Sequence, residues 1–134
     1  MLPKTILVVE DDPDTRDFYE ALLQAAGYEV RSASSGQQTR ALVATQPFHG
    51  VLLDYRLPDP IDSRLPDPIG LDLCRELRTA LGSDVPILLV TGGRDPMLEP
   101  RAYAAGATAF LAKPFNPDML LALLVADVPG ANRT

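Results

Sequence analysis

Cysteine is nearly absent from this chain: Cys74 is the only one in 134 residues. One cysteine cannot close an internal disulfide, and with a single histidine, His49, there is no Cys/His set for a zinc site. Cys74 therefore reads as a small buried hydrophobe on a helix, in a reducing compartment. Positive charge is also scarce. The chain carries 12 Lys and Arg against 18 Asp and Glu, a formal charge of -6, with a pI near 4.6. That balance excludes the clustered basic surface that displaces counterions from nucleic-acid phosphates. Long apolar runs are missing as well. The longest, Met119–Ala126, falls far short of the roughly 20 residues that span a bilayer. The start, Met1-Leu2-Pro3-Lys4, has no apolar stretch and cleavage site of a signal peptide. A cytoplasmic protein with no membrane span is expected. Gly92-Gly93 is not followed by Gly-Lys-Ser/Thr, so it is not a phosphate-binding loop.

Apolar material is sufficient, at 46% of residues, for one packed core, and the length suits one domain. Short runs rich in branched residues alternate with segments of helical period. The strands expected are Thr5–Val9, Tyr28–Ser32, Val51–Asp54, Ile87–Val90 and Thr108–Ala112. The helices expected between and after them are Asp14–Ala26, Gly36–Thr45, Leu71–Leu81, Pro96–Ala105 and Pro117–Ala126. On the first helix Phe18, Leu22 and Ala25/Ala26 share one face, the expected buried one. Gly27, Gly82 and Gly106 follow helix ends. Strict alternation of strand and helix calls for an α/β fold: a parallel five-stranded sheet in a three-layer (βα)5 sandwich. The flavodoxin-like order 2-1-3-4-5 suits units of this size, and places any ligand site beyond the carboxyl ends of the strands.

Those ends carry polar groups. Strand 1 runs into Glu10-Asp11-Asp12, strand 3 ends in Asp54, strand 4 runs into Thr91-Gly92-Gly93, and strand 5 into Lys113-Pro114-Phe115. In the expected order the four ends converge on one crevice. Crowded carboxylates repel and raise one another's pKa. A hard dication held by oxygen ligands offsets that cost, and Mg²⁺ characteristically binds through one or two carboxylates, water and a phosphate oxygen. Carboxylates, Mg²⁺, the Lys113 amine and the Thr91 hydroxyl make a site suited to phosphoryl transfer, with Asp54 as nucleophile and an acyl phosphate as product. Asp12 reads instead as a helix cap or solvated neighbour, and His49 as a loop residue distant from the site.

The run Ile6-Leu7-Val8-Val9-Glu10-Asp11-Asp12, the strand end Leu52-Leu53-Asp54, Leu89-Val90-Thr91-Gly92 and Lys113-Pro114-Phe115 resemble the receiver domain of bacterial two-component response regulators. The resemblance covers nearly the whole chain and implies a receiver domain over 1–127, with 128–134 as a short tail. It implies Asp54 as phospho-acceptor, and Mg²⁺ bound by Asp11 directly, Glu10 largely through water, Asp54, and the backbone carbonyl of Arg56. It further implies Thr91 as the hydroxyl that turns toward the phosphoryl group, Lys113 as its cationic partner, Phe110 in the place of the aromatic switch residue, and a cis Lys113–Pro114 bond. Phe110 also has a plainer reading as core. The implied partners are a sensor histidine kinase or phosphotransfer protein, and a downstream protein or an output domain outside this chain. A homodimer is a further possibility. Catalysis would be limited to the domain's own phosphorylation and dephosphorylation.

One departure stands out. Arg56–Ser63 reads Arg-Leu-Pro-Asp-Pro-Ile-Asp-Ser and Arg64–Leu71 reads Arg-Leu-Pro-Asp-Pro-Ile-Gly-Leu, a tandem duplication that begins two residues after Asp54. Its prolines disfavour strand or helix within it. The alternative function is accordingly a non-phosphorylated interaction module in which the loop over 56–71 blocks or remodels the site. A phosphohydrolase working through an aspartyl phosphate would want an acidic residue at position 56, where the chain has Arg56.

Overall fold

Branched and leucine-rich runs form the strands because a parallel sheet covered on both faces has no solvent side to fill with polar residues. In the computed structural model, which describes residues 3–55, 69–92 and 97–125, these are β1 (Thr5–Val9), β2 (Glu29–Ala33), β3 (Gly50–Asp54), β4 (Ile87–Thr91) and β5 (Ala109–Ala112). The helices are α1 (Pro13–Ala25), α2 (Gly36–Thr45), α3 (Ile69–Leu81), α4 (Leu98–Ala104) and α5 (Pro117–Val125). All strand pairs are parallel, and the order is β2-β1-β3-β4-β5. Both the fold class and the strand order agree with the sequence reading.

Alternation along each strand divides the core in two. Leu7, Val9, Val51, Leu53, Ile87 and Leu89 face α3 and α4, with Leu42 and Val43 of α2 packed at the margin. Ile6, Val8, Leu52, Leu88 and Val90 face Tyr19 and Leu23 of α1 and Leu120 and Leu124 of α5. Cys74 is fully buried in the first layer and unpaired, as its reading required.

Two expectations need correction. On α1 the buried residues are Tyr19 and Leu23, while Phe18 is 52% exposed. The apolar face is turned by one residue, with Leu22 only partly covered. Tyr19 wins the inward place because it stacks against Phe115 across the layer, with ring centroids 6.3 Å apart. The second correction concerns the duplicated stretch over 56–71. Its last three residues, 69–71, are the first turn of α3. Leu71 is fully buried there, and Gly70 lies so close to β3's exit that a Cβ would run into the Tyr55 carbonyl oxygen. Core burial of Leu71 and this close approach, open to glycine alone, override the Pro-rich local context. Residues 56–68 and 126–134 lie outside the described residues, and with them Arg56, most of the duplication and the tail.

Candidate functional site

Register brings the site together. Val9 pairs with Leu53, so the residues that follow them, Glu10 and Asp54, emerge side by side. Asp54 pairs with Val90, and Thr91 with Ala112. The backbone continues the pattern: Tyr55 N–H donates to Val90 O at 2.9 Å, and Lys113 N–H donates to Thr91 O at 2.7 Å. A cis Lys113–Pro114 bond follows, as the resemblance implied.

Glu10 sits at the centre, only 2% exposed. Its Oε2 accepts from the backbone N–H of Asp12 at 3.2 Å, and its Oε1 lies 3.5 Å from Lys113 Nζ. Burial, then a hydrogen bond with Asp54, then the charge of Asp54 push its carboxyl up to about 7. The Asp12 N–H and Lys113 pull the other way and lose. Arg16 Nη1 donates to the Glu10 carbonyl oxygen at 3.1 Å and fixes the backbone at the turn. Tyr19 lies close enough that its hydroxyl pKa is raised, first by burial and then by the charges of Glu10 and Asp54.

Asp11 is exposed and Asp54 is partly buried, and one carboxylate oxygen from each of Glu10, Asp11 and Asp54 can lie within 4.8 Å of the others. Asp12 stands apart from this trio. Its side chain accepts from Thr15 N–H at 2.9 Å and caps α1, the role read from sequence. Thr91 is almost fully buried at the end of β4. Phe110 is half-buried against the α3 and α4 layer. His49 is exposed at the opposite end of the sheet, before β3, with its Nδ1 placed to accept from Thr5 N–H at 3.0 Å. Beside Lys113, an open cavity of about 430 Å³ is lined by Thr15, Phe18, Tyr19, Pro114, Phe115 and Pro117, among others.

A dication fits this donor set. Three carboxylates converge, all hard oxygen donors, and the charge of Asp54 raises the Glu10 carboxyl, a repulsion that a dication would offset. Sequence reasoning found every acidic member but missed Arg16 and Tyr19, which reach the site from α1. Their signal was faint: both follow the Glu10-Asp11-Asp12 turn on α1 at spacings that return toward strand 1.

The comparison with known families decides the lineage. A family model described as "Response regulator receiver domain" matches residues 6–125. The chain belongs to the response regulator receiver family. Among curated relatives of this receiver domain, the phosphate regulon transcriptional regulatory protein PhoB of Pseudomonas aeruginosa is 33% identical over 127 residues, covering 94% of this chain and 52% of that protein. The chain thus spans about half the length of the curated relatives it matches. The chemotaxis protein CheY4 of Vibrio cholerae is similar in structure, with a TM-score of 0.76 and 30% identity over 92% of this chain and 97% of that one. The receiver domain of the sensor histidine kinase PA1611 of Pseudomonas aeruginosa, solved with a magnesium ion in its active-site cleft, gives a TM-score of 0.74 at 31% identity, covering 92% of this receiver and 95% of that chain.

Proposed function

We propose that this receiver accepts a phosphoryl group on Asp54 from a sensor histidine kinase or a phosphotransfer protein, and that the new charge switches a partner-binding face. The observation that carries the reading is the convergence of Glu10, Asp11 and Asp54 with Lys113 at the strand ends. An Asp54 carboxylate oxygen attacks phosphorus. A P–O bond forms, the bond to the donor's imidazole nitrogen breaks, and the nitrogen keeps the electron pair and takes up a proton. Glu10, Asp11, Asp54 and the backbone carbonyl of Arg56 would hold Mg²⁺. The ion would supply charge neutralisation on the phosphoryl oxygens. Lys113 has its amine 3.5 Å from Glu10, where it balances one carboxylate before transfer and can turn to the added phosphoryl oxygens after it. The buried Thr91 hydroxyl gains a new acceptor in those oxygens, and Phe110 on the neighbouring strand follows its movement. The face around α4, β5 and α5 then changes its affinity for a partner protein, an attached output domain or a second copy. The domain acts on no separate substrate, and a cytoplasmic setting suits the donor.

Intact mass after incubation with acetyl phosphate and Mg²⁺ tests the reading. A single phosphoryl adduct, dependent on Mg²⁺ and absent from Asp54→Asn, is expected. The duplication over 56–71 supports a second reading, a non-phosphorylated module with a remodelled site. Absence of the adduct, together with failure to bind beryllofluoride, would favour it. A variant lacking Arg56–Ser63 that gains the adduct would establish it.

A further inference from the structure

Between β1 and α1 the chain makes a short turn, Glu10-Asp11-Asp12, that presents two of the three converging carboxylates. Peptide units are planar, so a hydrogen bond to the N–H or C=O of one orients the whole unit. The unit before Glu10 is held by Glu10 N–H donating to Ala33 O, at the end of β2, at 2.9 Å. The unit that joins Glu10 to Asp11 is held by Arg16 Nη1 donating to Glu10 O at 3.1 Å. The unit that joins Asp11 to Asp12 is held by Asp12 N–H donating to Glu10 Oε2 at 3.2 Å. Asp11 thus stands between two tethered units, and they set where its carboxylate can go.

The two tethers beside Asp11 differ in kind. One uses a carboxylate oxygen of Glu10, a group that a dication would draw on. The other joins a guanidinium to a main-chain carbonyl, neither of which belongs to the proposed ligand set. Arg16 can therefore keep its hold whether or not the ion is bound. Nor does α1 need this side-chain bond to begin. Arg16 N–H donates to Asp12 O at 2.9 Å as the first bond of the helix. The Asp12 carboxylate caps it, accepting from Thr15 N–H at 2.9 Å and from the Thr15 hydroxyl at 2.6 Å. What the Arg16 side chain adds is the orientation of the Glu10–Asp11 unit.

Charge alone argues the other way. A guanidinium this near an acidic turn repels an incoming dication, so its removal would tighten binding. Arg16 is only partly buried, however, and water and salt screen such a repulsion. Groups that orient metal ligands without touching the metal are worth about 10–100-fold in affinity. Orientation therefore outweighs repulsion.

We propose that Arg16 is a positioning residue for the metal: it sets the Glu10–Asp11 peptide so that Asp11 meets Mg²⁺, in spite of its own positive charge. The proposal rests on the reading of this domain as an Mg²⁺-dependent phosphoryl acceptor. Two measurements test it: the Mg²⁺ dissociation constant, from ¹⁵N amide shifts during titration, and the rate of adduct formation from acetyl phosphate at saturating Mg²⁺. Arg16→Gln should weaken Mg²⁺ binding about tenfold and leave the saturating rate unchanged. Arg16→Lys, whose amine can donate to the same carbonyl from a side chain one bond shorter, should fall between the two. Leu22→Ala, which loosens the packing of α1 beyond the turn, should bind Mg²⁺ as the parent does. An unchanged or lower constant in a folded Arg16→Gln overturns the proposal, and a lower one shows Arg16 acting as a repelling charge. A rate that Mg²⁺ cannot restore in Arg16→Gln also overturns it, as does a constant in Leu22→Ala raised as far as in Arg16→Gln. If Arg16→Gln does not fold, Arg16→Lys decides, and a constant equal to the parent's overturns the proposal. In all these cases the parent binds Mg²⁺ and forms its adduct, so the acceptor reading stands. A parent that does neither refutes that reading, and the role of Arg16 with it.

Discussion

Replacing Glu10 by glutamine should stabilise the metal-free protein at alkaline pH and flatten its pH dependence. The carboxyl of Glu10 stands at about 7 in place of 4.5, through burial first and the hydrogen bond and charge of Asp54 next. The folded chain therefore keeps a proton that the unfolded chain has already lost between those two values. Stability from this group is fully present below 4.5 and is lost as the pH rises through about 7. A displacement of that size amounts to roughly 3 kcal/mol, a large share of a small domain's stability. Glutamine is neutral at every pH, can still donate to Asp54, and has nothing to lose on the alkaline side. Because the hydrogen bond and charge of Asp54 add to burial in holding the Glu10 carboxyl up, Asp54→Asn should also remove part of the fall. Urea unfolding in the presence of a chelator, at about pH 5 and about pH 8, measures both effects through the difference in midpoint. Mg²⁺ added at the higher pH should restore stability to the unaltered protein, by binding the folded state alone. An unaltered protein equally stable at both pH values would refute the reasoning, as would Glu10→Gln falling as steeply as the parent.

Other outcomes follow from packing. Leu89→Ala, in the fully buried centre of β4, should cost about 2–5 kcal/mol in urea unfolding. Gly106→Ala forces a side chain into a positive-φ position against Arg78 and should destabilise by more than about 1 kcal/mol in the same assay. Cys74 is fully buried and burial raises its thiol to about 11, so a thiol reagent should label it only at the rate of unfolding, with prompt labelling in denaturant. Glu76→Gln breaks a half-exposed ion pair with Arg40 at 2.8 Å and should change stability by less than about 1 kcal/mol.

The repeated order of apolar runs and helical segments dictated the sheet, because strands buried on both faces must be apolar throughout and parallel neighbours need helical crossovers. Strand ends were legible for the same reason: a carboxylate closing an apolar run, as Asp54 does, has to leave the core. Even the Asp12 cap could be read, since capping is a local interaction. The inward face of α1 could not. Phe18 and Tyr19 offer nearly equal apolar area, and the stacking partner Phe115 lies far along the chain. The start of α3 inside the duplication was hidden likewise, because Tyr55 and the core decide it across space.

Tertiary structure alone assigned the electrostatic roles. Glu10 and Asp11 are adjacent acids in sequence, yet one is buried against Asp54 and Lys113 and the other is exposed. Sequence supplies their charges, but the work of burying a charge depends on which neighbours replace water, and β1–β3 register sets those neighbours. Arg78 makes the same point. In sequence it is one of two arginines on α3; in the fold its guanidinium meets acceptors from two connections, α3 to β4 and α4 to β5, that come together only when β4 and β5 pair. The chain's residue types thus determined which chemistry was available, and long-range packing determined which residues carry it.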